Sequence, residues 1–143
     1  MSILGVGFGK GVDDYKHLKI STRHYPQNVT IPKKTGNTMF TISKTEVAKD
    51  LDEIHRLGDA IRKGETFHPS SGRVYKIHEG SVHPVSGSPG TVDITSMEYN
   101  ILVTAKKKGI EKAQLQISKM SEKGLLNSDQ IKRTELLIKM VNK

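Results

Sequence analysis

The 143-residue sequence has no cysteine and no tryptophan, and only three phenylalanines and four tyrosines. Without thiols there is no disulfide framework, zinc ribbon, iron–sulfur cluster or cysteine nucleophile. The zinc-dependent base deaminases, which need a Pro-Cys-x-x-Cys ligand pair, are excluded on the same ground. The scarcity of aromatic rings argues against a base-stacking platform of the RRM or OB type. No apolar run approaches the roughly 18–20 residues that span a bilayer. The first ten residues, Met1 to Lys10, hold too much glycine and too few apolar residues for a signal-peptide core. HExxH, Gly-x-Ser-x-Gly and Walker-type spacings are all missing, and the alternating glycines Gly5, Gly7, Gly9 and Gly11 do not match the dinucleotide fingerprint.

What the chain does have is positive charge. Its formal net charge is +8, distributed as +4 over residues 1–40, −2 over 41–100 and +6 over 101–143. A basic excess attracts phosphate-bearing polymers through counterion release. Residues 1–12 read as a flexible glycine-rich lead-in, and 13–143 as a single α+β domain.

In the next stretch, Asn28–Ile31 and Thr38–Ile42 alternate polar and apolar residues around Gly36-Asn37, which suggests a short hairpin. A helix is predicted from Thr45 to Lys63, with Ser43 and Glu46 as a capping box and Gly64 as its stop. Val47, Leu51, Ile54, Leu57 and Ile61 form its apolar face. Strands are predicted at Arg73–His78, Ser81–Val85 and Thr91–Ile94, the first two joined by a tight turn at Glu79-Gly80. Pro84 suggests an edge position or an early end. Three helices follow. Thr95 with Glu98 caps the first, Gly109 separates it from the second, and Asn127 with Gln130 caps the third. The expected fold is therefore α+β: a small antiparallel β-sheet, an N-terminal helix and a C-terminal three-helix layer.

The chain has six histidines, and His68, His78 and His83 lie in the predicted β region. Alternation along a strand puts Val74, Lys76 and His78 on one side, and Arg73, Tyr75 and Ile77 on the other. A hairpin closed by Glu79-Gly80 brings His78 toward His83. Metal-independent RNA cleavage needs a general base for the 2′-hydroxyl, a general acid for the leaving oxygen and cations for the phosphorane. Histidine performs either proton transfer near neutral pH, and arginine and lysine hold phosphate. The candidate catalytic set is accordingly His78 and His83, with His68 and Tyr75 as secondary members and Arg73 and Lys76 as phosphate clamps. Neither a cofactor nor a metal is expected. Asp93 and Glu98 flank a helix start, where a carboxylate complements the helix dipole. Lys106, Lys107, Lys108 and Lys112 form a second basic cluster, suited to non-catalytic nucleic-acid binding together with Lys119, Lys132, Arg133 and Lys139.

The run Gly72–Gly87, with Pro89-Gly90-Thr91-Val92 and Glu98–Leu102 behind it, resembles the C-terminal toxin modules of bacterial polymorphic toxins of the Rhs/YD-repeat, LXG or contact-dependent kinds. The similarity covers about a third of the chain. It implies a toxic activity inside a rival cell, secretion or delivery into that cell's cytoplasm, and a cognate, often acidic, immunity protein. Many such modules are nucleases; others act on NAD or ADP-ribose. The expected function is thus a ribonuclease effector acting on tRNA or rRNA. A non-catalytic RNA binder, an NAD-directed toxin and a simple acidic-protein binder are the alternatives.

Overall fold

A computed structural model describes residues 15–143; the glycine-rich lead-in lies outside the described residues. The fold is α+β. Contacts divide the chain into two compact units, one formed by residues up to Ser21 with Ile42–Gly90, the other by Thr22–Thr41 with Thr91–Lys143. No described helix is long and apolar enough to cross a membrane.

The first unit contains strands β1 (Lys19–Ile20), β3 (Arg62–Lys63), β4 (Thr66–Phe67), β5 (Tyr75–His78) and β6 (Ser81–Pro84), together with helix α1 (Lys44–Leu57). The strands form one sheet in the order β1-β6-β5-β4-β3. All neighbours are antiparallel except β1 and β6, which run parallel. A two-residue turn joins β5 to β6, with Glu79 at φ 50° and Gly80 at φ 80°. Both central residues lie at positive φ, as a turn matched to strand twist requires. Pro84 ends β6 rather than marking a sheet edge, because β6 has a partner on each side.

Helix α1 is shorter than its apolar periodicity suggests. It stops at Leu57, where Gly58 turns to φ 50°; a 3-10 turn then covers Gly58–Ile61 and the chain enters β3. Gly64, predicted to stop the helix, instead sits in the β3–β4 turn at φ 60°. Ser43 accepts from the Glu46 amide as expected, but the Glu46 carboxylate turns away to Arg73, so the reciprocal half of the capping box is not made.

The second unit contains β2 (Asn37–Phe40), β7 (Thr91–Ile94), α2 (Ser96–Lys108), α3 (Ile110–Glu122) and α4 (Ser128–Ile138). β2 pairs antiparallel with β7, not with residues 28–31, which form the end of a 3-10 turn and an irregular segment. The Gly36-Asn37 hairpin is therefore absent. Gly36 serves a different need: a Cβ there would lie 2.1 Å from the Ile94 carbonyl oxygen. The alternation at 28–31 misleads because Pro26 starts a 3-10 turn just ahead of it.

Helix α2 packs against both α3 and α4. Ile101, Leu102, Ala105, Ala113, Leu137, Ile138 and Val141 are buried in its core. Capping boxes at Thr95/Glu98 and Asn127/Gln130 are both complete.

Glu98 exceeds its predicted role at the helix start. Its side chain is 0% exposed and accepts from Arg133 Nε and Nη2, the Thr95 amide and hydroxyl, and the Thr134 hydroxyl. Burial raises the carboxyl's pKa, but the bonds from Arg133 and Thr95 outweigh it and hold the group below its ordinary value. A depressed folded-state pKa stabilises the fold above the unfolded value and loses that contribution as pH falls through the folded one. Glu98→Gln is expected to flatten the acid limb of stability below about pH 4.5. Arg133→Ala leaves a buried carboxylate short of its charge partner, and we expect it to cost about 3–5 kcal/mol. Urea denaturation across pH measures both effects.

Candidate active site

In a sheet, cross-strand partners share a face and alternate residues change it. The register therefore assigns every strand residue of the five-stranded sheet to one of two sides. Arg62, Phe67, Tyr75, Ile77, Val82, Pro84 and Ile20 belong to one side. On the other, Lys63, Thr66, Lys76 and His83 form one cross-strand row, and His78, Ser81 and Lys19 the next. The two rows meet at the hairpin, where His78 and His83 are diagonal neighbours. Their ring centroids lie 5.6 Å apart with the rings nearly perpendicular.

The two imidazoles differ in setting. The His78 side chain is 56% exposed, with Nε2 3.7 Å from a Glu79 carboxylate oxygen. His83 is 6% exposed, so its ring is held by its surroundings while one neighbour, His78, faces solvent. Lys76 lies directly across the β5–β6 pair from His83 and is exposed. His68 lies two residues beyond Thr66, and its Nε2 is 2.7 Å from the Thr66 hydroxyl, so it is tied to the outer part of the same row. Two other described histidines do different work. His24 is buried with Nδ1 2.7 Å from the Thr38 carbonyl oxygen, and His55 Nε2 lies 2.7 Å from that of Leu18.

Arg73 and Tyr75 are not brought to the imidazoles. Asp50 of α1, only 1% exposed, accepts hydrogen bonds from Nε of Arg73 at 2.6 Å and from the Tyr75 hydroxyl. Arg73 reaches Glu46 as well, at 3.4 Å. Burial raises the Tyr75 pKa far above its ordinary value, the Asp50 carboxylate raises it further, and Arg73 offsets only part of this. Tyr75 therefore keeps its proton and holds α1 on the sheet. Its periodicity placed it and Arg73 on the side away from His78; only Asp50, hidden among the polar positions of α1, explains what they do there.

The second basic cluster is also divided. Lys106 Nζ donates to the Val141 carbonyl at 3.0 Å. Lys107 and Lys108 line an open cavity of about 290 Å³ with Pro32, Asn100, Thr104 and Gln116. The Asn100 amide is engaged there in both directions, accepting from the Lys33 amide and donating to the Lys33 carbonyl. All three lysines sit in the last turn of α2, where cations complement the helix dipole. Lys112 is an exposed residue of the first turn of α3, and Arg133 is drawn inward by Glu98.

Lys19 and Lys63 join the imidazole face only through strand pairing, and the sequence alone did not mark them. The available signal was the Lys63-Gly64-Glu65-Thr66 turn, where the apolar periodicity instead ends a helix at Lys63 with Gly64 as its stop. No group of three or more His, Asp or Glu side chains among the described residues is arranged to hold a metal ion. No family model, curated protein or solved structure matches the chain.

Because Arg73 and Tyr75 serve Asp50, their replacement is expected to act on stability. Arg73→Ala, by leaving a buried carboxylate without its cation, should cost about 3–5 kcal/mol. Tyr75→Phe should cost about 1–3 kcal/mol through the lost hydrogen bond. Denaturant unfolding of the two variants checks this; an unchanged midpoint in both contradicts the assignment.

Proposed function

We propose that the face carrying His78, His83 and Lys76 cleaves RNA by metal-independent transesterification. The observation that carries the reading is the diagonal pair of imidazoles, 5.6 Å between centroids, with a lysine directly opposite one of them. In-line attack places the entering and leaving oxygens on opposite sides of phosphorus. Two proton-transfer groups several ångströms apart, with a lysine in the same cross-strand row as one of them, match that demand.

One imidazole takes the proton of the 2′-hydroxyl as its oxygen bonds to phosphorus. The bond to the 5′-oxygen breaks, and that oxygen receives a proton from the other imidazole, then in its cationic form. The products are a 2′,3′-cyclic phosphate and a free 5′-hydroxyl. Lys76 opposes the charge that gathers on the non-bridging oxygens. His83, held in place, suits the role needing fixed orientation; exposed His78 suits exchange of its proton with water.

The resemblance to polymorphic toxin modules supports the same reading and adds a context. In that context the chain acts on tRNA or rRNA in a rival cell. An acidic immunity protein would neutralise it by covering the cationic face.

Incubating the purified protein with total RNA, with and without EDTA, tests the chemistry. Cleavage is expected to survive EDTA and to yield cyclic phosphate ends. The rate should follow a bell-shaped pH profile. His78→Ala should lower it by about 10²- to 10⁴-fold and remove one limb of the bell. His83→Gln, chosen to preserve bulk at a buried position, should remove the other. Full cleavage by both variants, or loss of NAD with intact RNA, overturns the reading.

A further inference from the structure

We infer that Lys19 and Lys63 extend this face into a binding track for a single-stranded RNA segment several nucleotides long, so that the substrate is a polynucleotide rather than a mononucleotide or dinucleotide. The inference rests on the same face as the ribonuclease reading and specifies what lies across it.

Lys63 occupies one edge strand of the sheet and Lys19 the other, with the imidazole pair between them. Adjacent strands are about 4.8 Å apart, so the four steps from β3 to β1 span roughly 19 Å. The rows are staggered, Lys63-Thr66-Lys76-His83 and then His78-Ser81-Lys19, and the offset falls at the two imidazoles. A chain of phosphates crossing the strands would therefore meet cations or hydroxyls on both sides of the scissile position. A dinucleotide has one internal phosphate and cannot reach both edges.

The charges on the face support this. Lys19, Lys63 and Lys76 are exposed, and none of them forms an ion pair among the described residues. Two carboxylates border the face, Glu65 in the β3–β4 turn and Glu79 in the hairpin turn. Only Glu79 comes within ion-pair distance of a face residue, and that residue is His78. Four of the five arginines, by contrast, are answered: Arg56 by Asp52, Arg62 by Asp59, Arg73 by Asp50 and Arg133 by Glu98. Unanswered positive charge aligned across strands recruits a polyanion through counterion release. A single strand fits better than a duplex, because in-line attack needs a backbone free to swing the 2′-oxygen behind phosphorus. With no Phe, Tyr or Trp among these face residues, binding is expected to follow phosphate number more than base identity.

Fluorescence anisotropy with a labelled 2′-O-methyl oligonucleotide, which cannot be cleaved, separates binding from catalysis. Affinity is expected to rise from dinucleotide to dodecanucleotide and to fall with salt. Lys19→Ala and Lys63→Ala should each reduce the slope of log affinity against log salt by about 0.7, the value for one phosphate contact on a single strand. Lys123→Ala, at the C-cap of α3 and outside the five-stranded sheet, should leave it unchanged. If the dodecanucleotide does not bind, or binds with the same slope in both variants, the track is overturned. If it binds as expected while RNA is never cut, the track stands and the catalytic reading fails. If RNA is cut while the slopes do not move, the catalytic reading stands and the track fails.

Discussion

The ion pair between Asp50 and Arg73 decides how the first unit is arranged. A carboxylate that is 1% exposed carries a large desolvation penalty, and the fold tolerates it only because a guanidinium and a tyrosine hydroxyl converge on it. Those partners come from the approach to β5 and from β5 itself, and the carboxylate comes from α1. Satisfying Asp50 therefore fixes which side of β5 turns toward the helix. Once Tyr75 points that way, strand alternation sends Lys76 and His78 the other way, and pairing in the hairpin sends His83 with them. The polar face is thus a consequence of the buried pair, although neither Asp50 nor Arg73 belongs to that face.

Glu98 and Arg133 repeat the arrangement in the second unit. There too a carboxylate is buried, in this case near a helix start, is met by an arginine and hydroxyls, and ties α2 to α4. In both units the charged partner is arginine. Its planar fork bonds a carboxylate through two nitrogens and keeps its charge at any relevant pH, which a lysine does less well in a partly buried place. Removing either partner leaves a charge that water no longer reaches, so these contacts define the packing geometry more than they add net stability.

The three C-terminal helices were legible in the sequence because each signal is local. Thr95 with Glu98 and Asn127 with Gln130 are capping pairs three residues apart, and Ile138 and Val141 follow the helical period. The hairpin at Glu79-Gly80 was legible for the same reason. What failed depended on distant partners. β2 pairs with β7, more than fifty residues later, and no local pattern in Asn37–Phe40 reports that. The apolar rhythm of α1 continues past Leu57 because Ile61 is partly buried in the 3-10 turn and preserves the spacing by accident. Of the candidate site, the His78–His83 pair came from a short-range turn. The engagement of Arg73 and Tyr75 by Asp50, and the addition of Lys19 and Lys63, came from long-range contacts, and sequence spacing carries no record of them.

The net charge of +8 takes a more definite meaning from the same geometry. The chain has five arginines, and four of them are paired with carboxylates. The positive excess is therefore carried mainly by lysines, which are compact, strongly hydrated charges on flexible stems. Such charges would hold a phosphate without fixing its orientation, as the proposed reaction requires of positions flanking the bond. Orientation matters at the bond itself in the proposed reaction, and its candidate groups are two imidazoles whose spacing is set by a type of turn that constrains both strands. On the proposed ribonuclease reading, arginine holds the fold, lysine gathers the anion, and histidine moves the proton. This division follows from the different solvation and protonation behaviour of the three side chains, and it puts the proposed reacting centre in the stretch of sequence where the net charge is lowest.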